Sequence, residues 1–231
     1  MKSTNREPLS RDVIFTLCLM AVTGVLVIGT GIYYGQTFMR LWPLCNSLVI
    51  SFLLTRANRY APLLIGFNAV LYAASYFHYH LFSNAAFALF VSCPLQLITF
   101  FRWHNKPYKR STVFRKMTGK QRLLWSGVAL LCWSVASFLF YRFQSDFNLL
   151  DTTVTMFSMY GTILSLLSYM EFPLFTAITN LCNLFLYLSM LGDHPEQITY
   201  MIFSIYALIC SVKTFIRTNQ LYAEQRKAAQ S

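Results

Sequence analysis

The sequence predicts an all-α integral membrane protein with eight transmembrane helices. One extra N-terminal helix precedes two parallel three-helix repeats joined by a single linker helix, a 3+1+3 plan. Three observations predict it. Of 231 residues, 56% are hydrophobic and only 12% charged, about half the charged share of an ordinary soluble domain. Charges are absent from windows of roughly twenty residues, the length that crosses hydrocarbon. Finally, FNAVLYA (67–73) and CNLFLYL (182–188) echo each other, matching Asn68 with Asn183 and Tyr72 with Tyr187.

The elements follow in order. Residues 1–36 hold a basic start (Lys2, Arg6, Arg11) and the extra helix, about 12–32. This segment lacks a small-residue cleavage site and so reads as a retained helix, not a signal peptide. Its Gly24, Gly29 and Gly31 allow close helix contact. The first repeat, 37–101, contains helices at about 37–54, 61–77 and 85–101. TRANRY, with Arg56 and Arg59, joins the first two, and HYHLFSN the next two. Pro94 in the third helix removes a backbone bond and permits a bend. A cytoplasmic loop, 102–122, carries eight Lys or Arg. The linker helix spans 123–141. The second repeat, 149–216, contains helices at about 149–169, 171–190 and 198–215, and a polar tail covers 217–231.

Eight crossings place both termini, TRANRY, the 102–122 loop and the tail on one side. That side then collects every Lys and Arg except Arg40 and Arg142. Such asymmetry marks the cytoplasmic face of an inner, or cell, membrane protein. It also explains the net charge of +11 without nucleic acid, because the cations sit between apolar spans and not on a separate basic domain. The six cysteines all lie in apolar spans without CxxC spacing, so they read as buried hydrophobes and not as disulfides or metal ligands.

The stretch most in need of explanation is EFPLFTAITNLCNLFLY, Glu171 to Tyr187. It carries Pro173, Thr176, Asn180, Asn183 and Tyr187 at steps of three and four, which puts them on one helix face. Hydrocarbon offers no water to satisfy an amide, so this face must meet protein, a ligand or a cavity. Gln96, Thr99 and Trp103 share a face in the same way, with Ser92 one turn before. Thr155, Ser158, Thr162 and Ser165 form a further stripe, which reads as close helix packing rather than pathway.

Little here resembles enzymatic chemistry. No P-loop, GxSxG or HExxH occurs. The four histidines lie in or beside connectors, and His78 and His80 form an HxH without accompanying carboxylates, which reads as surface rather than metal. No acid stands in mid-span, which argues against obligatory proton coupling and for facilitated diffusion. No cofactor is expected. The neutral polar set that remains is Asn68, Gln96, Thr176, Asn180, Asn183 and the tyrosines Tyr72 and Tyr187. It suits a ligand with hydroxyls and an amide or heteroaromatic ring. Asn and Gln also glue helices together at about 0.6–2 kcal/mol each, and the repeated Asn68/Asn183 pair invites that reading.

CPLQLITFFRWHN (93–105) resembles a segment of the PnuC vitamin transporters in which Pro-Met-Gln precedes a Trp, matched here by Pro94, Gln96 and Trp103. EFPLFTAITNLCNLFLYL resembles the family's Glu-Gln-Trp…Trp…Asn pattern, with Glu171 and Asn180 matching. The resemblance covers most of 37–217. It implies a SWEET-like fold and uptake of a nucleoside-like vitamin precursor, nicotinamide riboside or a related compound, by facilitated diffusion. It also implies a functionally linked cytoplasmic kinase that traps the substrate. Gln96, Asn180 and Trp103 become substrate-binding candidates. Pro173 and Thr176 stand where the family has tryptophans, so either Phe172 and Phe175 supply the rings or the substrate differs. Thiamine, riboflavin and deoxynucleosides are the alternatives within the family; a SWEET-type sugar carrier and a membrane sensor are the alternatives outside it. The expected partners are the small-molecule substrate and the lipid bilayer, with assembly into a homo-oligomer left open.

Overall fold

The computed structural model describes residues 11–78, 82–143 and 149–230. It is helical almost throughout: α1 Arg11–Tyr33, α2 Phe38–Thr55, α3 Ala61–His78, α4 Phe82–Phe87, α5 Cys93–Asn105, α6 Gly119–Phe143, α7 Leu149–Leu166, α8 Phe172–Met190 and α9 Ile198–Ala228. A π-helical stretch, Ala88–Ser92, fuses α4 and α5 into one rod. Among the described residues this makes eight rods, six of them long and apolar enough to cross a bilayer. The other two are α3 and α7. Asn68, Tyr72, Tyr76 and His78 dilute the first; Thr152, Thr153, Thr155, Ser158, Thr162 and Ser165 dilute the second.

The packing order explains how such polar helices sit in an apolar protein. Helix α2 packs on α3, α3 on α5, α5 on α7, α7 on α8, α8 on α9, and α9 back on α2. Six rods therefore close a ring. Helices α3 and α7 flank α5 in it, and their polar faces can meet an interior in place of lipid. Helix α1 lies outside against α2 and α9, and α6 lies outside against α7.

The threonine hydroxyls of α1 are satisfied locally. Thr16 and Thr23 of α1 donate to the carbonyls of Asp12 and Leu19, both at 2.8 Å. The chain turns after α1 at Gly35, where φ is +62°. The Gln36 N–H returns to the Gly31 carbonyl at 2.8 Å, the glycine-ended helix stop expected of a left-handed residue. The π stretch has a similar cause. Pro94 has no N–H to continue the ladder, and one residue earlier the Cys93 N–H reaches back five residues to the Ala88 carbonyl.

Two sequence expectations are corrected here. The 102–122 segment is not loop throughout. Helix α5 runs on to Asn105 and α6 begins at Gly119, and between them Pro107–Tyr108 pairs antiparallel with Ser111–Thr112. Nor is 217–231 simply a tail, because α9 continues to Ala228. Both corrections have one cause: these segments dock on each other. The Gln225 carboxamide donates to the Thr112 carbonyl at 2.9 Å and accepts from the Phe114 N–H at 3.0 Å. Lys109 pairs with Glu224 at 2.6 Å. The Arg59 N–H donates to the Arg110 carbonyl at 3.1 Å, and Arg115 exchanges backbone bonds with Ser168 and Met170, both at 2.9 Å.

This end of the ring also holds the largest dry cluster: Ala57, Trp103, Phe114, Met117, Tyr160, Leu164, Met170, Phe172 and Leu221. Glu171 is buried beside it. Its Oε1 accepts from the Met117 N–H at 3.2 Å and from the Arg122 guanidinium at 2.8 Å. The described Lys and Arg crowd this same end, while Arg40 and Arg142 fall towards the other. Lys2, Arg6 and His80 lie outside the described residues.

Candidate functional site

Two cavities open between the ring helices. The larger, about 390 Å³, is bounded by α3, the π stretch, the start of α5, and α7. Its polar lining is Tyr72, Tyr76, Ser92, Thr155, Ser158 and Thr162, and its remaining wall is Ala, Val, Leu, Met and Phe. No lining side chain is charged. The smaller, about 30 Å³, is bounded by α2, α8 and α9 and is lined by Thr176, Asn180, Ser211, Ser51 and Thr214 with Pro173 and Phe172. It has room for about one water. The two cavities correspond in position: each lies between the first helix of one three-helix group and the second and third helices of the other.

The tyrosines come together. Tyr72 and Tyr76 stack with ring centres 6.0 Å apart, and Tyr187 and Tyr200 lie 5.5 Å apart. Tyr72 is within electrostatic reach of the other three, and its hydroxyl lies against Ser47. Aromatic side chains from α3, α8 and α9 thus meet in one group, with Tyr72 and Tyr76 forming a wall of the large cavity.

The structure separates the sequence candidates by whether protein already satisfies them. Asn68 is satisfied: it accepts from the Asn46 amide at 3.1 Å and donates to the Ser47 hydroxyl at 2.8 Å, binding α3 to α2. Trp103 is satisfied too. It is wholly buried, its indole N–H donates to the Ser165 carbonyl at 3.0 Å, and it meets Phe114 and Phe172 edge-on. It lines neither cavity. Thr176 returns its hydroxyl to the Phe172 carbonyl at 3.2 Å and Asn180 makes a long 3.5 Å contact to Ser211, so both keep spare capacity towards the small cavity. Gln96 is buried at 6% exposure, and Asn183 is half-buried. Neither carboxamide has a hydrogen-bond partner among the described residues. A carboxamide left so within a membrane protein costs free energy unless water or ligand completes it.

Asn68 and Asn183, alike in sequence context, therefore differ in state, and their neighbours explain it. Counting from the first residue of each helix, Asn46 and Ser47 of α2 correspond to Phe157 and Ser158 of α7. The partner amide that holds Asn68 is replaced by a phenyl ring on the other side, and Phe157 instead stacks on Phe175 at 6.3 Å.

The Thr155, Ser158 and Thr162 stripe, expected to be packing, instead lines the large cavity. Only its position in the ring reveals this, because small hydroxyl residues look the same at a helix contact and at a cavity wall. Among the described residues no cluster of His, Cys, Asp and Glu could hold a metal.

A ring of apolar helices around a neutral, partly unsatisfied polar interior defines a membrane transport protein. A family model described as nicotinamide mononucleotide transporter matches residues 37–215. The chain belongs to that family and is a transporter, not an enzyme. A solved structure titled "Crystal structure of the Vitamin B3 transporter PnuC" is similar over 94% of both chains, with a TM-score of 0.77 and 16% identity. At that identity the likeness shows the fold. A search of curated protein sequences finds no match.

Proposed function

We propose that this protein carries a nucleoside-like vitamin precursor, nicotinamide riboside or a related compound, across the cell membrane by facilitated diffusion. The observation that carries the reading is the neutral cavity of about 390 Å³, with tyrosine rings on one side and hydroxyls on another. That volume falls within the usual range for small-molecule sites. Rings can stack on a flat base and also accept a cationic pyridinium. The family model's name speaks of a mononucleotide, but a phosphate is normally met by Arg, Lys or a helix N-terminus, and no Lys or Arg lines either cavity. The unphosphorylated nucleoside fits better. A cytoplasmic kinase acting on it would then make uptake one-way, because the phosphorylated product no longer suits the site.

The proposed hydrogen-bonding residues are Asn180, with Thr176 as a minor contact, at the small cavity, and Gln96 and Asn183, which line neither cavity but have no partner among the described residues; the proposed rings are Tyr72 at the large cavity and Tyr187 in the same tyrosine group. Asn68 and Trp103 hold the frame. The tyrosine group supplies aromatic surface that Pro173 and Thr176 cannot. The paired contacts α2–α9 and α5–α7, each joining the first helix of one group to the third of the other, support parallel three-helix repeats and the 3+1+3 plan. The cationic docking end supports cytoplasmic termini and eight crossings.

The test is uptake of labelled nicotinamide riboside into proteoliposomes without any ion gradient, with thiamine, riboflavin, nucleosides and sugars as competitors. Saturable uptake, blocked by nucleosides and abolished in Gln96→Leu, is expected. Uptake that requires a proton gradient, or competition by sugars alone, sinks the proposal.

A further inference from the structure

We infer that the hydroxyl face of α7, Ser158 and Thr162, together with Ser92 of the π stretch across the cavity, reads the sugar hydroxyls of the transported ligand and sets specificity for them. The inference rests on the nucleoside reading above and assigns residues to a part of the ligand that reading leaves unassigned.

Three observations carry it. First, Ser158 and Ser92 both line the large cavity, and neither hydroxyl has a hydrogen-bond partner among the described residues. Several threonines of the bundle, Thr16, Thr23, Thr99, Thr179 and Thr214, return their hydroxyls to a carbonyl of the preceding turn at 2.7–2.9 Å. Ser137 of α6 also lacks a partner, but Ser158 and Ser92 face one cavity of ligand size, where their free hydroxyls can meet something within it. Second, Thr162 donates to the Ser158 carbonyl at 3.0 Å. Its hydrogen is spent and its lone pairs remain, so towards the cavity it is an acceptor only. A wall with a free donor–acceptor at Ser158 and an acceptor at Thr162, one turn on, suits hydroxyl groups, which donate and accept at one atom. It suits an aromatic face poorly, and that role falls to Tyr72 and Tyr76. Third, the wall opposite α7 is the π stretch. Such wide turns are frequent at functional sites, and Pro94 sets this one beside the cavity. Here the stretch contributes Ala88, Val91 and Ser92 to the lining.

The test uses the full-length protein in lipid nanodiscs and equilibrium binding of nicotinamide riboside and its 2′,3′-dideoxy analogue. Wild-type protein is expected to prefer the riboside by about tenfold or more, the scale of one or two well-placed hydrogen bonds. Ser158→Ala/Thr162→Val should weaken the riboside by that factor and leave the analogue unchanged, so the preference collapses towards one. Thr162→Ser, which keeps the acceptor, should preserve it. Ser189→Ala, whose hydroxyl is committed to the Leu186 carbonyl, is the control. Thermal melting of each variant reports folding separately. If the double variant binds and keeps the wild-type preference, the sugar-reading wall is overturned while the nucleoside reading stands. If wild-type protein binds neither compound, both fall.

Discussion

Trp103 offers the sharpest test of the division between frame and site. It is wholly buried, bonded through its N–H to the Ser165 carbonyl at 3.0 Å, and packed edge-on to Phe114 and Phe172 at 5.7 and 5.8 Å. It thereby ties α5, in one half of the ring, to α7 and α8 in the other. This cluster sits at the docking end, where water is the alternative environment, so soluble-protein arithmetic applies. Trp103→Ala removes the ring and leaves a cavity, at a cost of about 3–5 kcal/mol. Trp103→Phe keeps most of the packing and removes one of the two hydrogen bonds that the Ser165 carbonyl accepts, the other coming from the Ser168 N–H at 2.9 Å; the lost bond and the smaller ring together cost about 1–2 kcal/mol. At roughly 2–4 °C per kcal/mol for a chain of this size, the melting temperature should fall by about 6–20 °C for Ala and about 2–8 °C for Phe. The assay is thermal melting of purified protein beside nicotinamide riboside binding. Trp103→Phe should bind with near-wild-type affinity. A Trp103→Phe protein that melts like wild type yet binds tenfold more weakly would refute the argument, since the indole would then be touching ligand.

Four further predictions rest on the same geometry. Asn68→Leu breaks two interhelical hydrogen bonds and should lower stability by about 1–2 kcal/mol with binding retained. Asn183→Leu should leave the melting temperature unchanged or higher while weakening binding, and the reverse pattern would show the pair misassigned. Glu171→Ala removes the acceptor of the Met117 N–H and of Arg122, so limited trypsin digestion should cut faster at Arg115 and Lys116. Unchanged cutting would mean that Glu171 does not hold this segment. The Lys109–Glu224 pair holds the Glu224 carboxyl below its usual range and the Lys109 ammonium above its own, chiefly through their hydrogen bond. The acid's contribution is present above its unfolded pKa and lost as pH falls through the lowered one. The lysine's is present below its unfolded pKa and lost as pH rises through the raised one. Hairpin protection should therefore be flat across neutral pH and weaken at both extremes, as hydrogen exchange at 107–112 would report. Because both side chains are exposed, salt should weaken it as well.

Much of the architecture was legible before any coordinates. Helix positions along the chain follow from apolar windows, and these are local. The docking end was not legible. Gln225 and Thr112 lie far apart in sequence, and a short basic strand has no internal pattern to announce its partner. The 102–122 loop and the 217–231 tail read separately in the sequence for that reason, although Gln225 of the tail bonds Thr112 and Phe114 of the loop.

The sequence by itself determined that this is a polytopic membrane protein, which end gathers the cations, and which neutral polar residues stand in apolar surroundings. Each of these is a property of composition or of one helix. Only the tertiary structure decided which of those residues are already satisfied. Asn68 and Asn183 read alike, and so do a packing serine and a cavity serine. Asn68 meets Asn46 and Ser47, while Asn183 has no such neighbour and Ser158 looks into open space. Whether a polar group belongs to the frame or to the ligand depends on the hydrogen-bond partner across from it, and that partner is chosen by how the helices close the ring.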